Sequence, residues 1–219
     1  MTTLAESRIN AARITHGTSG NEIKTLILKL LNGIQYRSLL DFGAGAGELL
    51  SMLPQDRALT GVDILERPPH LSPSVSWIRQ DLNEKVSVAV VDVVTCSEVI
   101  EHLENPRATF RNFRELLTSG GWLVLTTPNN ESIRSYAALI AGGHFAGFLG
   151  ASYPAHITAL LRMDLRRIAL ESGFTEPTFH FTGVGGLPKL PRLKWQVLSF
   201  GLLRGRLFSD NVAMVCRKK

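Results

Sequence analysis

The sequence is poor in the features that mark secreted and membrane proteins. Its only two cysteines, Cys96 and Cys216, lie in strand-like apolar runs, which excludes a disulfide framework and indicates buried thiols in a reducing compartment. No apolar stretch reaches the ~20 residues that a membrane-spanning helix needs, and the densest one, 136–151, is interrupted by glycines. Residues 1–13 lack the apolar region of a secretory signal. We therefore expect a cytoplasmic protein.

The sequence also has little excess of charge. The 24 basic and 19 acidic residues give a formal charge of +5, and apolar residues make up 44% of the chain. This composition is ordinary for a globular protein and excludes a disordered or fibrous chain. The small basic excess is compatible with nucleic acid, phospholipid or a phosphorylated substrate and does not choose among them.

Short apolar strands alternate with amphipathic helices along the chain, as in a doubly wound α/β fold. The last two strands follow each other without a clear crossover helix, which favours an antiparallel strand near the sheet edge. We therefore predict a Rossmann-like, mostly parallel sheet. The predicted strands are 38–42, 59–64, 75–78, 90–95, 122–127, 178–182 and 211–217, and the predicted helices are 21–31, 48–53, 105–117 and 163–172.

At 219 residues the chain fits a single domain with three added segments. Residues 1–34 form an N-terminal helical cap. Residues 129–158 form an irregular inserted substrate lid, in which Tyr136, Phe145, Phe148 and Tyr153 either line an apolar acceptor pocket or pack an inserted helix. Residues 184–209 are basic and aromatic (Lys189, Arg192, Lys194, Trp195, Phe200, Arg204, Arg206). They either lie on an anionic membrane or cover the sheet edge, and we favour the edge.

A glycine-rich turn joins the first predicted strand to the next helix. It runs from Asp41 to Gly47 with the spacing G-x-G-x-G, which differs from the G-x-G-x-x-G that seats a pyrophosphate. The carboxylate of Asp41 would repel a diphosphate but suits the ammonium and sulfonium of S-adenosylmethionine. Asp63 ends the second strand, where an acid accepts from ribose hydroxyls. Asp81 ends the third strand, where it can accept from an adenine amino group while Leu82 offers its backbone N–H.

These motifs together resemble the class I S-adenosylmethionine-dependent methyltransferases. The runs LLDFGAGAGELL, LTGVDI, RQDLNE, DVVTCSEVIEHLENP and GGWLVLTTPN follow in the order and spacing of that family over about residues 38–128. The resemblance implies a methyltransferase with a seven-stranded sheet whose final strand is reversed. It also implies that the cofactor contacts Asp41, Gly43, Ala44, Gly45, Asp63, Ile64, Asp81, Leu82 and Ser97, with Ser97 near the transferred methyl group.

Three acid–base side chains follow the fourth predicted strand. Glu98, Glu101 and His102 are spaced i, i+3 and i+4, so they point one way if the segment is a helical turn. Three interpretations stay open. His102 or Glu101 acts as a general base, the group binds Mg²⁺ or Mn²⁺, or the glutamates only favour a helix N-terminus.

The run EVIEHL resembles two subfamilies. One is the ubiquinone- and menaquinone-pathway O-methyltransferases. The other is the small-RNA 3′-terminal 2′-O-methyltransferases, whose metal site uses Glu-x-x-Glu-His and a later histidine. His156 is the candidate for that histidine, both as a metal ligand and in catalysis, and His144 is the weaker one.

We expect O-methylation of a small acceptor that is lipid-linked or a saccharide, with peripheral membrane contact as a further partner. Nucleic acid is disfavoured because the lid is glycine-rich and apolar where basic and aromatic contacts would be needed. The alternatives are a metal-dependent RNA 3′-terminal 2′-O-methyltransferase and a non-catalytic S-adenosylmethionine-binding protein. The sequence gives no indication of oligomeric state.

Overall fold

A computed structural model describes residues 8, 9, 12 and 18–219 of the chain. Residues 1–7, 10–11 and 13–17 of the predicted N-terminal cap lie outside the described residues. In the described part of that cap, Asn21–Leu31 forms the predicted helix. Over the same described part of the chain, no helix is long and apolar enough to cross a bilayer.

A seven-stranded sheet forms the centre of the protein and confirms the predicted fold class. Its strands are β1 (Ser38–Phe42), β2 (Ala58–Asp63), β3 (Ser76–Arg79), β4 (Val91–Ser97), β5 (Leu117–Pro128), β6 (Thr178–Phe181) and β9 (Asn211–Arg217), while β7 (Gly186–Leu187) and β8 (Leu190–Lys194) form a separate pair. The order is β3-β2-β1-β4-β5-β9-β6. Strand β9 runs antiparallel to both β5 and β6, and the neighbouring pairs from β3 to β5 are parallel.

Helices cover both faces of this sheet. Over residues 18–219 the α-helices are α1 (Asn21–Leu31), α2 (Glu48–Met52), α3 (Pro106–Leu116), α4 (Ile133–Gly142), α5 (Arg162–Glu171) and α6 (Trp195–Leu198). Alternation along β1 separates the two cores, because Leu39 packs on the α1 side while Leu40 and Phe42 pack on the other. On that second face, Phe42 meets Phe113 of α3 edge-on with ring centroids 5.0 Å apart.

The fold differs from the prediction on either side of the end of the fifth strand. Strand β5 begins at Leu117 and not at residue 122 as predicted, so the glycine pair at 120–121 lies inside an irregular strand. The stretch predicted to be irregular contains α4, which Ser132 caps by accepting from the Ser135 backbone N–H and which Gly143 ends with φ +72°. The sequence of α4 does not show the usual buried apolar face, because its side chains Tyr136, Leu139 and Ile140 are exposed.

The strand order sets the position of the site. It reverses between β1 and β4, since β2 and β3 follow on one side and β5 on the other. Loops after the two central strands therefore diverge and leave a crevice at their carboxyl ends, which is where doubly wound sheets bind ligands.

Candidate functional site

A cavity of about 460 Å³ opens at the carboxyl ends of the central strands. A volume of this size suits a small-molecule ligand. The cavity is lined by the nine residues for which the sequence predicts cofactor contact: Asp41, Gly43, Ala44, Gly45, Asp63, Ile64, Asp81, Leu82 and Ser97. Their individual roles stay predictions.

The glycine turn after β1 folds back onto the end of β2. The backbone N–H groups of Gly43 and Ala44 donate to the Val62 carbonyl oxygen at 2.8 and 3.1 Å. Gly43 has φ +84°, and a Cβ built there would lie 2.2 Å from Cγ2 of Val99. The turn therefore passes so close to the loop after β4 that only glycine fits.

Asp63 holds this turn in addition to facing the cavity. Its Oδ2 accepts from the Gly45 N–H at 2.7 Å, and its Oδ1 accepts from the Leu65 N–H at 2.8 Å. Burial raises the pKa of Asp63, and these backbone bonds act in the opposite direction. The strand-end position of Asp63 predicts a ligand contact but not this structural role.

Asp41 is a buried acid with a single hydroxyl donor. It is 2% exposed, and its Oδ1 accepts from Oγ1 of Thr95 at 2.7 Å. Burial raises the pKa of Asp41 to about 7, the Thr95 hydrogen bond lowers it, and the nearby Asp63 carboxylate raises it further. A carboxylate in such a place is stabilised by a cation, so this wall of the cavity fits the ammonium end of S-adenosylmethionine.

An arginine from the N-terminal region closes the predicted adenine end. Arg8 Nη1 donates to Oδ2 of Asp81 at 2.6 Å, and Arg8 Nη2 donates to Oε1 of Glu104 at 2.7 Å. Arg8 lines the cavity beside Asp81 and Leu82. No motif in the sequence singles out this residue, because 73 positions separate it from Asp81.

The predicted helical face of Glu98, Glu101 and His102 does not form. Only Ile100–His102 is helical, as a three-residue 3₁₀ turn, and Glu98 precedes it with φ +54°. Glu98 instead accepts at Oε2 from Nδ2 of Asn211 at 2.7 Å, at the start of β9. Its Oε1 is buried without a hydrogen-bond partner among the described residues, and burial raises the pKa of Glu98 to about 7.

The lid brings His156 to the remaining two residues. The backbone N–H groups of Ile157 and Thr158 both donate to the Glu101 carbonyl oxygen at 2.9 Å. This contact ties the end of the lid to the 3₁₀ turn. As a result one potential ligand atom from each of Glu101, His102 and His156 lies within 4.8 Å of the others. Glu98, the fourth member of the predicted set, is not part of this group.

Backbone carbonyls fix the orientation of both histidine rings. Nδ1 of His102 lies 2.9 Å from the Ala155 carbonyl oxygen, and Nδ1 of His156 lies 2.6 Å from that of Gly147. Because a carbonyl can only accept, Nδ1 carries the proton in each ring and Nε2 presents a lone pair. Burial lowers the pKa of His102 to about 4, with a further contribution from His156, and burial also lowers the pKa of His156.

Glu101 is the third member of this group. It is fully buried and does not line the cavity, whereas His102 and His156 do. Its Oε2 accepts from Oγ1 of Thr127 at 3.1 Å, and its Oε1 is buried without a partner among the described residues. Burial, followed by the charge of Glu98, raises the pKa of Glu101 well above its usual value. A buried side chain in this position is not a solvated residue at a helix N-terminus.

The other lid residues are divided between cavity and surface. Tyr153 lines the cavity, whereas Tyr136, Phe145, Phe148 and His144 are not among its lining residues. Phe148 instead packs edge-on against His156, with ring centroids 5.4 Å apart. The division of the chain into a cap, a lid and a basic segment stays a prediction.

Comparison with known proteins points to one family. A family model described as a methyltransferase domain matches residues 15–176. A ubiquinone biosynthesis O-methyltransferase of Nitrosomonas europaea is 28% identical over 131 residues, which are 53% of this chain and 54% of that protein. The chain therefore spans about half the length of this curated relative.

Solved structures agree on the fold. A SAM-dependent methyltransferase from Archaeoglobus fulgidus has a TM-score of 0.59 at 20% identity, over 89% of this chain and 94% of that chain. The 1,6-didemethyltoxoflavin-N1-methyltransferase of Burkholderia thailandensis has a TM-score of 0.63 at 16% identity, over 99% and 87%. The family model covers most of the chain and the sheet carries the expected reversed strand. The chain therefore belongs to the class I S-adenosylmethionine-dependent methyltransferases.

Proposed function

We propose that this enzyme methylates a hydroxyl oxygen of a small, lipid-linked acceptor. The observation that carries the proposal is the group of Glu101, His102 and His156 beside the cofactor cavity. S-adenosylmethionine, when bound, supplies a methyl group on a positively charged sulfur. A neutral amine can attack that methyl directly, but a hydroxyl is a weak nucleophile until its proton is removed or its pKa is lowered. The imidazoles of His102 and His156 lie on the cavity wall, where they can accept that proton or hold a cation that lowers the hydroxyl pKa.

The geometry favours a divalent cation over a histidine base. A ring whose Nδ1–H is held by a carbonyl, so that Nε2 carries the lone pair, has the arrangement typical of metal-ligating histidines. Glu101 adds an unpartnered carboxylate oxygen at the same place. Two imidazoles and one carboxylate suit Mn²⁺ or Zn²⁺ better than Mg²⁺, which prefers oxygen ligands. A cation held there would lower the pKa of a neighbouring acceptor hydroxyl.

The cofactor cradle follows from the carboxylates already described. Asp41 and the glycine turn would hold the ammonium end, and Asp63 the ribose. Asp81 and Leu82 would hold the adenine, and Ser97 would lie near the reacting methyl. Support for a lipid-linked acceptor comes from the curated relative, which acts in ubiquinone biosynthesis by its name, and from Tyr153 and Ile157 at the cavity wall. A saccharide is the competing small acceptor.

Methyl transfer to defined acceptors tests this proposal. The purified chain is treated with a chelator, and Mn²⁺, Zn²⁺ or Mg²⁺ is added back. The acceptors are a prenylated catechol, a saccharide and the 3′ end of a small RNA. We expect transfer to the catechol, its loss in the chelator, and its recovery with Mn²⁺ or Zn²⁺.

Two variants locate the effect. Loss of an outer-shell partner of a metal typically costs about 10–100-fold, so removal of a ligand in His102→Ala or Glu101→Gln should lower activity at least about 100-fold while S-adenosylhomocysteine still binds. His144→Ala is the matched control, because His144 lies in the lid but outside the group. Full activity in the chelator would contradict the metal. Transfer only to RNA, or cofactor binding without transfer to any acceptor, would favour the two alternatives.

A further inference from the structure

Among the residues that the structure describes, the most exposed large apolar side chains lie outside the cavity. Phe200, Ile140 and Leu202 are 96, 88 and 85% exposed. Ile140 belongs to α4, and the other two follow α6 in the basic segment, 184–209. These regions are neighbours, because α4 contacts the 3₁₀ turn Arg206–Phe208. Further apolar side chains of the basic segment are also exposed: Leu190, Leu193, Val197, Leu198 and Leu207.

A polar framework holds this apolar loop in place. The side chain of Gln196 accepts from the Gly185 N–H at 3.0 Å and donates to the carbonyl oxygens of Leu203 and Phe208 at 2.7 and 3.0 Å. The Gly201 N–H donates to the Gln196 carbonyl oxygen at 2.7 Å. These hydrogen bonds hold the backbone of the loop that carries Phe200.

Phe200 combines two unfavourable features that this framework maintains. Its φ is +50°, in the left-handed region that bulky side chains avoid, and its ring is almost wholly in solvent. Strain of this kind persists where the surrounding structure imposes it and is concentrated at functional positions. A ring exposed together with neighbouring apolar side chains on a hydrogen-bonded loop indicates a surface that is covered by a partner.

Charge identifies the kind of partner. The basic segment contains five basic residues and no acidic one, which equals the net charge of the whole protein. Lys189 and Arg192 are exposed and make no ion pair with the described residues. Lys194 and Arg206 make ion pairs with Asp210 and Glu131, each with a long N–O distance of 3.9 Å. The rest of the chain carries equal numbers of acidic and basic residues.

We propose that this surface docks onto an anionic lipid bilayer, with Phe200, Leu202 and Ile140 entering the headgroup region. Exposed apolar side chains flanked by lysine and arginine are the pattern of interfacial membrane binding. A second copy of the chain fits less well, because a two-fold symmetric dimer through this patch would bring its cations face to face.

Docking would place the lid at the membrane. The lid continues from α4 to Tyr153 and Ile157, which line the cavity. A lipid-linked acceptor could then reach the cavity from the bilayer without crossing water. This last step depends on the proposed function, whereas docking itself does not.

Flotation of the full chain with vesicles tests the docking. The vesicles are pure phosphatidylcholine, or the same lipid with about one-third phosphatidylglycerol. We expect binding to the anionic vesicles, and weaker binding as salt is raised, since salt screens exposed charges. The variants Phe200→Ser with Leu202→Ser, and Lys189→Glu with Arg192→Glu, should each reduce binding by at least roughly tenfold. The control is Met52→Ser with Val90→Ser, which changes side chains 54 and 55% exposed elsewhere and should bind as the wild type does.

Three results would overturn the docking surface. One is no binding to anionic vesicles by a chain whose thermal melting and S-adenosylhomocysteine affinity are normal. Another is equal binding by all variants. A third is a dimer in sedimentation that the Phe200 and Leu202 variant dissociates, since this would assign the surface to a second copy. Vesicle binding is measured without acceptor or methyl transfer, so it can fail while O-methylation stands, and the reverse also holds.

Discussion

The two halves of the crevice differ in how their polar atoms are satisfied. At the ends of β1, β2 and β3, the carboxylates of Asp41, Asp63 and Asp81 each accept from a side chain or from backbone N–H groups. At the end of β4, Oε1 of both Glu98 and Glu101 is buried without a partner among the described residues. In the first half all three carboxylates are hydrogen-bonded, whereas in the second half two buried carboxyl oxygens have no partner among the described residues.

The two halves of the crevice are also built from different parts of the chain. The cofactor half is built by the strand ends and the glycine turn, which position one another through backbone hydrogen bonds. The other half depends on the lid and on β9, which reach it from distant parts of the sequence. A buried polar atom without a partner needs a physical explanation, and the proposed metal at Glu101, His102 and His156 would supply one for Oε1 of Glu101.

The largest effect on stability is expected from Gly43→Ala, which changes the glycine turn of the cofactor half. Its Cβ would meet Val99 at 2.2 Å on a backbone with φ +84°, so unfolding stability should fall by about 3 kcal/mol. Gly183→Ala is the matched control, with φ +70° and no atom within 4 Å of its Cβ, and should lose only about 1 kcal/mol. Urea denaturation measures both. Equal losses would show that the turn does not depend on close approach to Val99.

The next effect is a pH dependence of cofactor-product binding. The pKa of Asp41 is about 7, and a cationic ammonium prefers its ionised form. Affinity for S-adenosylhomocysteine should therefore fall about tenfold from pH 8 to pH 6, as Asp41 takes up a proton. Calorimetry at the two pH values measures this fall. Asp41→Asn should remove most of it, leaving any contribution of Asp63 and Glu98, and an unchanged slope in that variant would assign the titration elsewhere.

The smallest effect is expected outside the crevice, from Ile140→Ser in α4. Because this side chain is 88% exposed, stability should change by less than about 0.5 kcal/mol. Ile27→Val, which removes one methylene from a fully buried side chain of α1, should lower stability by about 1 kcal/mol. Thermal melting compares the two. A larger loss from Ile140→Ser would mean that α4 packs into the core and does not present an open surface.

The same division explains what could be predicted from the sequence. Asp41, Asp63 and Asp81 were predictable because parallel strands bring their carboxyl ends to one edge. Arg8 was not, since no local pattern connects it to a strand end 73 positions away. The separation of Glu98 from Glu101 was missed because residue spacing assumes a helix, whereas the backbone of Glu98 is left-handed.

Calorimetric titration of the purified chain with S-adenosylmethionine and with a pyridine dinucleotide tests the central claim most directly. Three acids around a glycine turn should bind the cationic donor with a dissociation constant on the order of micromolar, and should give no heat with the anionic dinucleotide. Heat from the dinucleotide with none from S-adenosylmethionine would contradict the assignment of the cavity.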